Sequence, residues 1–232
     1  MSSPITKWVE TNPAAIMQEM MRIFPDGVVI TSGIYALLTL SFPFAVLFGS
    51  LIEATMIFHI IRSTSTYLNI FPSELTKSSY KHICRTGFAD PVSTSMGSLS
   101  MFTSMLDSSS LMHQFPSSSI YMLSVVSAYL FSTLNVQSKD LEALGPRFSS
   151  RYYSSLIFLS VVLFLFITFR LAYSCETFST VILSVPVGLL IGAALVRQNE
   201  KLFGKSSLNL IGIPQLNSVT ADGQKLYICP KA

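Results

Sequence analysis

GVVITSGIYALLTLSFPFAVLFGSLI, residues 27–52, runs for twenty-six positions without a formal charge. About twenty apolar residues suffice for a helix to cross a hydrocarbon core of roughly 30 Å, so the stretch predicts a first membrane span. Apolar sequence resumes after Glu53 and continues to Ile61. The helix is therefore either long and tilted, or turned along the interface with Glu53 at the boundary. Pro43 is expected to kink it. Three further runs follow: residues 115–136, diluted by serines; 152–169 (YYSSLIFLSVVLFLFITF); and 178–196 (FSTVILSVPVGLLIGAALV). The third run is rich in β-branched and aromatic residues and would read as a strand in water. An open sheet in lipid leaves its edge amides without partners, so each run is read as a helix. The fold class that follows is an all-α integral membrane protein. It is a bundle of about four transmembrane helices with an N-terminal interfacial helix, a long non-cytosolic loop and a C-terminal tail with a hairpin signal.

Composition agrees. Of 232 residues, 50% are hydrophobic and 12% charged, about half the roughly 25% charged content of a soluble domain. The mean hydropathy is +0.54. These values exclude a disordered chain, and a net charge of +3 is too weak a footprint for nucleic acid. The chain divides into an amphipathic segment (1–26), a first span with its extension (27–61), a serine-rich loop (62–114), three spans (115–196) and a basic tail (197–232). Glu10 and Glu19 precede the first long apolar run, so no cleavable signal peptide is expected and the first span acts as an uncleaved anchor.

With four spans, the N-terminal segment, residues 137–151 and the tail share one side. That side carries Lys7, Arg22, Lys139, Arg147, Arg151, Arg197, Lys201, Lys205, Lys225 and Lys231, ten basic residues, against Arg62, Lys77, Lys81, Arg85 and Arg170 opposite. The positive-inside rule then puts both termini in the cytosol. Cys84 and Cys175 fall together on the other side, where an oxidising lumen permits a disulfide; two free thiols are the alternative. Cys229 is fourth from the end, but Pro230 and Lys231 replace the aliphatic pair of a prenylation signal.

Outside the spans, Thr11-Asn12-Pro13 reads as a helix start and Pro25-Asp26-Gly27 as the turn that ends it. Between them Ile16, Met17, Met20, Met21, Ile23 and Phe24 form an apolar stripe, with Trp8 as a headgroup anchor. This segment either lies on the membrane surface or packs against protein. In the loop, thirteen of residues 62–115 are serine; its length calls for short helices around 73–84 and 98–112. RQNEKLFGK, residues 197–205, continues the last span as a basic helix end favouring anionic headgroups. Asp222-Gly223 between Ser218-Val219-Thr220 and Lys225-Leu226-Tyr227-Ile228 signals a hairpin.

Candidate chemistry is sparse. Ionisable groups in lipid mark transport or catalysis, and the clear spans contain none. Glu53 and His59 flank the first span six residues apart, and are either interfacial or the lining of a proton or ion pathway. His82 and Cys84, with His113 as a third base, are the weak enzymatic alternative. No catalytic, cofactor or metal motif is present. Gly188 and Gly192 form a GxxxG that serves either packing within the chain or a homo-oligomer seam.

The tail is the most individual segment. Asn209-Leu210-Ile211-Gly212-Ile213-Pro214 and Ala221-Asp222-Gly223-Gln224-Lys225-Leu226-Tyr227-Ile228-Cys229 resemble the tails of multi-span virion membrane and minor capsid proteins of large icosahedral DNA viruses, the phycodnavirus and chlorovirus group. The resemblance covers about 23 residues plus the pattern of spans. It implies a structural protein of the internal bilayer, partnered by that bilayer and by capsid proteins, with the cytosolic side facing the shell. Ile213, Pro214, Leu216, Leu226, Tyr227 and Ile228 are then the docking residues, adding strands to a sheet edge. The rival expectation is a small channel or transporter using Glu53 and His59.

Overall fold

The computed structural model describes residues 13–68, 74–75, 112–113, 115–138, 141, 146–173 and 175–210. They form α1 (Pro13–Thr39), α2 (Phe42–Tyr67), β1 (Glu74–Leu75), β2 (Met112–His113), α3 (Ser118–Val136), α4 (Pro146–Ala172) and α5 (Phe178–Phe203), followed by a 3-10 turn (Lys205–Leu208). Among the described residues, four helices are long and apolar enough to cross a bilayer: Phe42–Tyr67, Ser118–Val136, Tyr152–Ala172 and Phe178–Phe203. The chain fits a multi-pass membrane protein.

The first predicted span is corrected. Residues 27–61 do not form one helix, because α1 stops at Thr39 and α2 begins at Phe42. A continuous helix would need Pro43 to donate to the Thr39 carbonyl, and proline has no N–H while its ring collides with that carbonyl. Leu40 turns the chain at φ 49°, and the Ala45 N–H to Ser41 carbonyl bond of 3.1 Å opens α2. Pro43 then sits in a first turn, where a missing N–H costs nothing. The two helices double back: the Tyr35 and Phe44 rings lie 4.4 Å apart, and Val29 shares a core cluster with Leu51 and Ala54.

The predicted turn at Pro25-Asp26-Gly27 is likewise corrected, since α1 runs through it. Pro25 forfeits one backbone bond, which a helix shielded from water bears more easily than a break that orphans many. Asp26 is consequently buried, 1% exposed. In the loop, Glu74–Leu75 is not helical but pairs antiparallel with Met112–His113, Glu74 opposite His113. The rest of the predicted loop helices, residues 1–12 and the tail hairpin lie outside the described residues.

α3 is the axis. In its apolar window 61% is buried, against 11% for α4, so α3 is wrapped by protein while α4 stands at the periphery. One core cluster joins Val29 of α1, Phe58 of α2, Tyr121, Val125 and Tyr129 of α3 and Leu195 and Val196 of α5. α4 joins through a smaller one, Leu123 with Phe166, flanked by Phe24.

α3 and α5 run parallel, from the end that holds Ser117 and Glu176 (the loop end) to the end that holds Leu208 (the tail end). α2 and α4 run the other way. The Phe24 and Phe166 rings, 5.7 Å apart, place the start of α1 toward the loop end, because Phe166 lies one turn before the Arg170 contact made there. The four candidate spans are even in number, and α1, whose apolar part is Ile23–Thr39, packs back along α2 without being one of them.

Candidate functional site

Polar side chains inside the bundle meet at four levels. At the loop end, Arg170 in the last turn of α4 donates from Nη2 to Glu176 Oε1 at 2.7 Å, and the Ser117 hydroxyl donates to the same oxygen at 2.7 Å. Both charged side chains are buried, 4% and 8% exposed. Thr177 caps α5 by accepting from the Thr180 N–H at 3.3 Å, and the Ser117 N–H donates to Ser184 Oγ at 3.0 Å. The α4–α5 connection is thus fastened to the start of α3. Arg170 was expected in a loop; it is helical and buried because Glu176 folds back over it.

At mid-depth the Tyr121 hydroxyl donates to the Ala54 carbonyl at 2.9 Å. Further toward the tail end, Asn199 donates from Nδ2 to Ser50 Oγ at 2.7 Å and to Tyr129 Oη at 3.0 Å. This ties α2, α3 and α5 at one point. Residues 197–205 were expected as a basic helix end; Arg197 and Lys201 are exposed, but Asn199 between them is 4% exposed and faces inward.

At the tail end Gln137 Nε2 donates to the Leu208 carbonyl at 2.7 Å. Gly204, at φ 78°, turns the chain out of α5 in a left-handed conformation that glycine adopts without strain. Ser207, Leu208 and Asn209 are then buried.

Gly188 and Gly192 face α3. A Cβ on Gly188 would lie 2.6 Å from Ser124 Cβ and from the Tyr121 carbonyl oxygen, and one on Gly192 2.4 Å from the Val125 carbonyl oxygen. Small residues permit this approach of two backbones. Glu53 accepts twice from Gln198 of α5, both bonds 3.1 Å. That places it where α5 turns polar. His59 stacks its ring edge-on against Phe58, centroids 5.4 Å apart. Six residues of helix separate Glu53 from His59 by about 9 Å along the axis and about 120° around it.

Cys175 is disulfide-bonded and buried, and its partner lies outside the described residues. So do Cys84, His82 and the docking candidates Ile213, Pro214, Leu216, Leu226, Tyr227 and Ile228. Among the described residues no three His, Cys, Asp or Glu side chains converge as metal ligands.

Sequence reasoning missed the Arg170–Glu176–Ser117 clasp and the Asn199–Ser50–Tyr129 knot. The second joins residues 149 and 70 positions apart, which no local spacing announces. For the first, the signal was Glu176 directly before the N-cap Thr177. Compared with protein-family models, with curated proteins and with solved structures, the chain matches none.

Proposed function

We propose that the chain is a structural multi-pass membrane protein that ties a bilayer to a protein layer at its tail end, with residues 211–232 as the docking segment. On the resemblance of that segment, the layer is the capsid shell of a large icosahedral DNA virus and the bilayer its internal membrane. The observation that carries the reading is the root of the tail. Leu208 is fully buried and its carbonyl is held by Gln137 of the central helix at 2.7 Å. A load on the tail therefore passes into α3 rather than into a slack linker. The disulfide at Cys175 favours an oxidising compartment at the loop end, which leaves the tail end on the cytosolic, shell-facing side.

The test is lysine cross-linking with mass spectrometry on native membranes or particles, paired with a chain truncated after Leu210, which keeps the docked root. Links from Lys225 or Lys231 to an abundant shell protein, and loss of assembly on truncation, are expected. Self-links alone, or normal assembly of the truncated chain, refute the proposal.

A further inference from the structure

The apolar part of α1, Ile23–Thr39, is shorter than the four candidate spans, yet its contacts follow the depth of the bundle. Its last residues lie at the tail end, beside the start of α2, where the Phe42 ring stands 5.8 Å from Phe203 in the last turn of α5. From there α1 pairs antiparallel with α2. Tyr35 meets Phe44, and Gly33 lies so close to Phe48 that a built Cβ would stand 2.8 Å from the ring. Val29 joins Leu51, Ala54, Tyr121 and Val125 in one cluster, at the level of the Tyr121–Ala54 bond. Phe24 then reaches Phe166 and Leu123, one turn short of the loop-end clasp. A helix lying flat on either membrane surface could not touch both Phe44 and Phe166.

The length suffices as well. From Thr39 to Phe24 the helix advances about 22 Å, and from Phe24 to Pro13 about 16 Å more, against a hydrocarbon core of roughly 30 Å. Its polarity is inverted relative to a helix in water. Ile34, Leu37 and Leu38 point away from protein, Leu37 and Leu38 76% and 79% exposed, whereas Asp26 and Ser32 are buried. A surface helix turns its polar side outward; a helix in lipid turns apolar side chains to the tails and holds ionisable groups against protein. The Ser32 hydroxyl bonds back to the Val29 carbonyl at 2.8 Å, and the exposed Thr39 hydroxyl to the Tyr35 carbonyl at 2.7 Å, so neither calls for water.

We propose that α1 is a fifth membrane crossing, which brings the start of the chain out on the loop-end side, opposite the tail. The protein then offers a separate surface to each side of the bilayer. The segment before α1 and the loop after α2 belong to one, and residues 137–145 and the tail to the other. A protein layer that the tail reaches meets the tail and not the N-terminal segment with Trp8. None of this depends on what the tail docks onto.

The test inserts the full chain into microsomes with an N-glycosylation acceptor on a short hydrophilic tag before residue 1, after residue 232, or at both ends. The chain has no Asn-x-Ser/Thr sequence of its own, and only lumenal acceptors are modified. The N-terminal acceptor should be glycosylated and the C-terminal one not, so the doubly tagged chain gains a single glycan. Modification of the C-terminal acceptor alone still supports the crossing and reverses only the compartments given to the two ends. Both acceptors modified, or neither, puts the termini on one side and overturns the proposal. In the same membranes a phospholipid with a mid-chain diazirine should mark Ile30 or Ile34 on photolysis; adducts confined to the four candidate spans would overturn it too.

Discussion

Replacing Gly192 by alanine should open the bundle at its tightest seam. A Cβ there would meet the Val125 carbonyl oxygen at 2.4 Å, Ala128 Cβ at 2.8 Å and the Tyr129 nitrogen at 3.1 Å. Real Cβ contacts essentially never fall below 3.0 Å and are ordinary only beyond 3.4 Å, so α5 must recede from α3 by about 0.6–1.0 Å along that line. The blocking atoms are backbone and a helix-borne methyl, so no flexible side chain can absorb the shift. A radial gap of about 0.5–1 Å forfeits a quarter to a half of the dispersion attraction across a contact, and α3 with α5 is the most extensive helix pair in the structure. Overpacking of this kind costs about 1–3 kcal/mol. Against it stands the gain of alanine over glycine in a helix, about 1 kcal/mol at most. The net expectation is a loss of about 1–2 kcal/mol. Gly49 is the control: it lies in α2 with nothing within 4 Å of a built Cβ, so Gly49→Ala keeps only the helix gain and should be neutral or slightly stabilising. Reversible unfolding in mixed micelles of increasing SDS content measures both. If Gly192→Ala unfolds at the same SDS fraction as the parent, or Gly49→Ala loses more than Gly192→Ala, the packing argument is wrong.

Glu176→Gln removes the acceptor charge from a buried Arg170 and should cost about 3–5 kcal/mol. The same titration reads it, and in a double-mutant cycle the substitution should turn neutral or stabilising once Arg170 is already methionine, because Glu176 is then the unpaired buried charge. Non-reducing peptide mapping should recover Cys175 joined to Cys84, and a membrane-impermeant thiol reagent should reach Cys175 only after reduction, from the loop-end side; a Cys175–Cys229 peptide refutes that pairing. Asn199→Leu severs two side-chain bonds and should cost only about 1–2 kcal/mol, since interhelical hydrogen bonds in membranes average about 0.6 kcal/mol each.

The apolar runs at 152–169 and 178–196 were legible because lipid imposes one solution on a long uncharged stretch. The break at Leu40 was not, although its cause was in view. Pro43 inside an apolar run permits either a kink or a restart, and the choice is made by Phe44 and Phe48 finding Tyr35 and Gly33 across the turn. Pro25-Asp26-Gly27 is a turn signal calibrated on water, where a broken helix can rehydrate its ends. Inside the bundle that option is withdrawn, and the helix continues with Asp26 buried. Glu53 illustrates the remaining limit: its polarity was visible, but its partner Gln198 is 145 residues away.

Lipid tails offer helices no hydrophobic reason to prefer one another, so a unique arrangement must come from close fit and from polar ties. Here the fit is concentrated at Gly188 and Gly192, and the ties are spread along the depth: the Arg170–Glu176–Ser117 clasp at the loop end, Tyr121 with Ala54 in the middle, and the Asn199 knot and Gln137–Leu208 bond toward the tail. α4 shares only part of this. It is clasped at the loop end by Arg170 and packed at mid-depth by Phe166 against Leu123, but its wall and that of α3 part near the tail end to leave a groove.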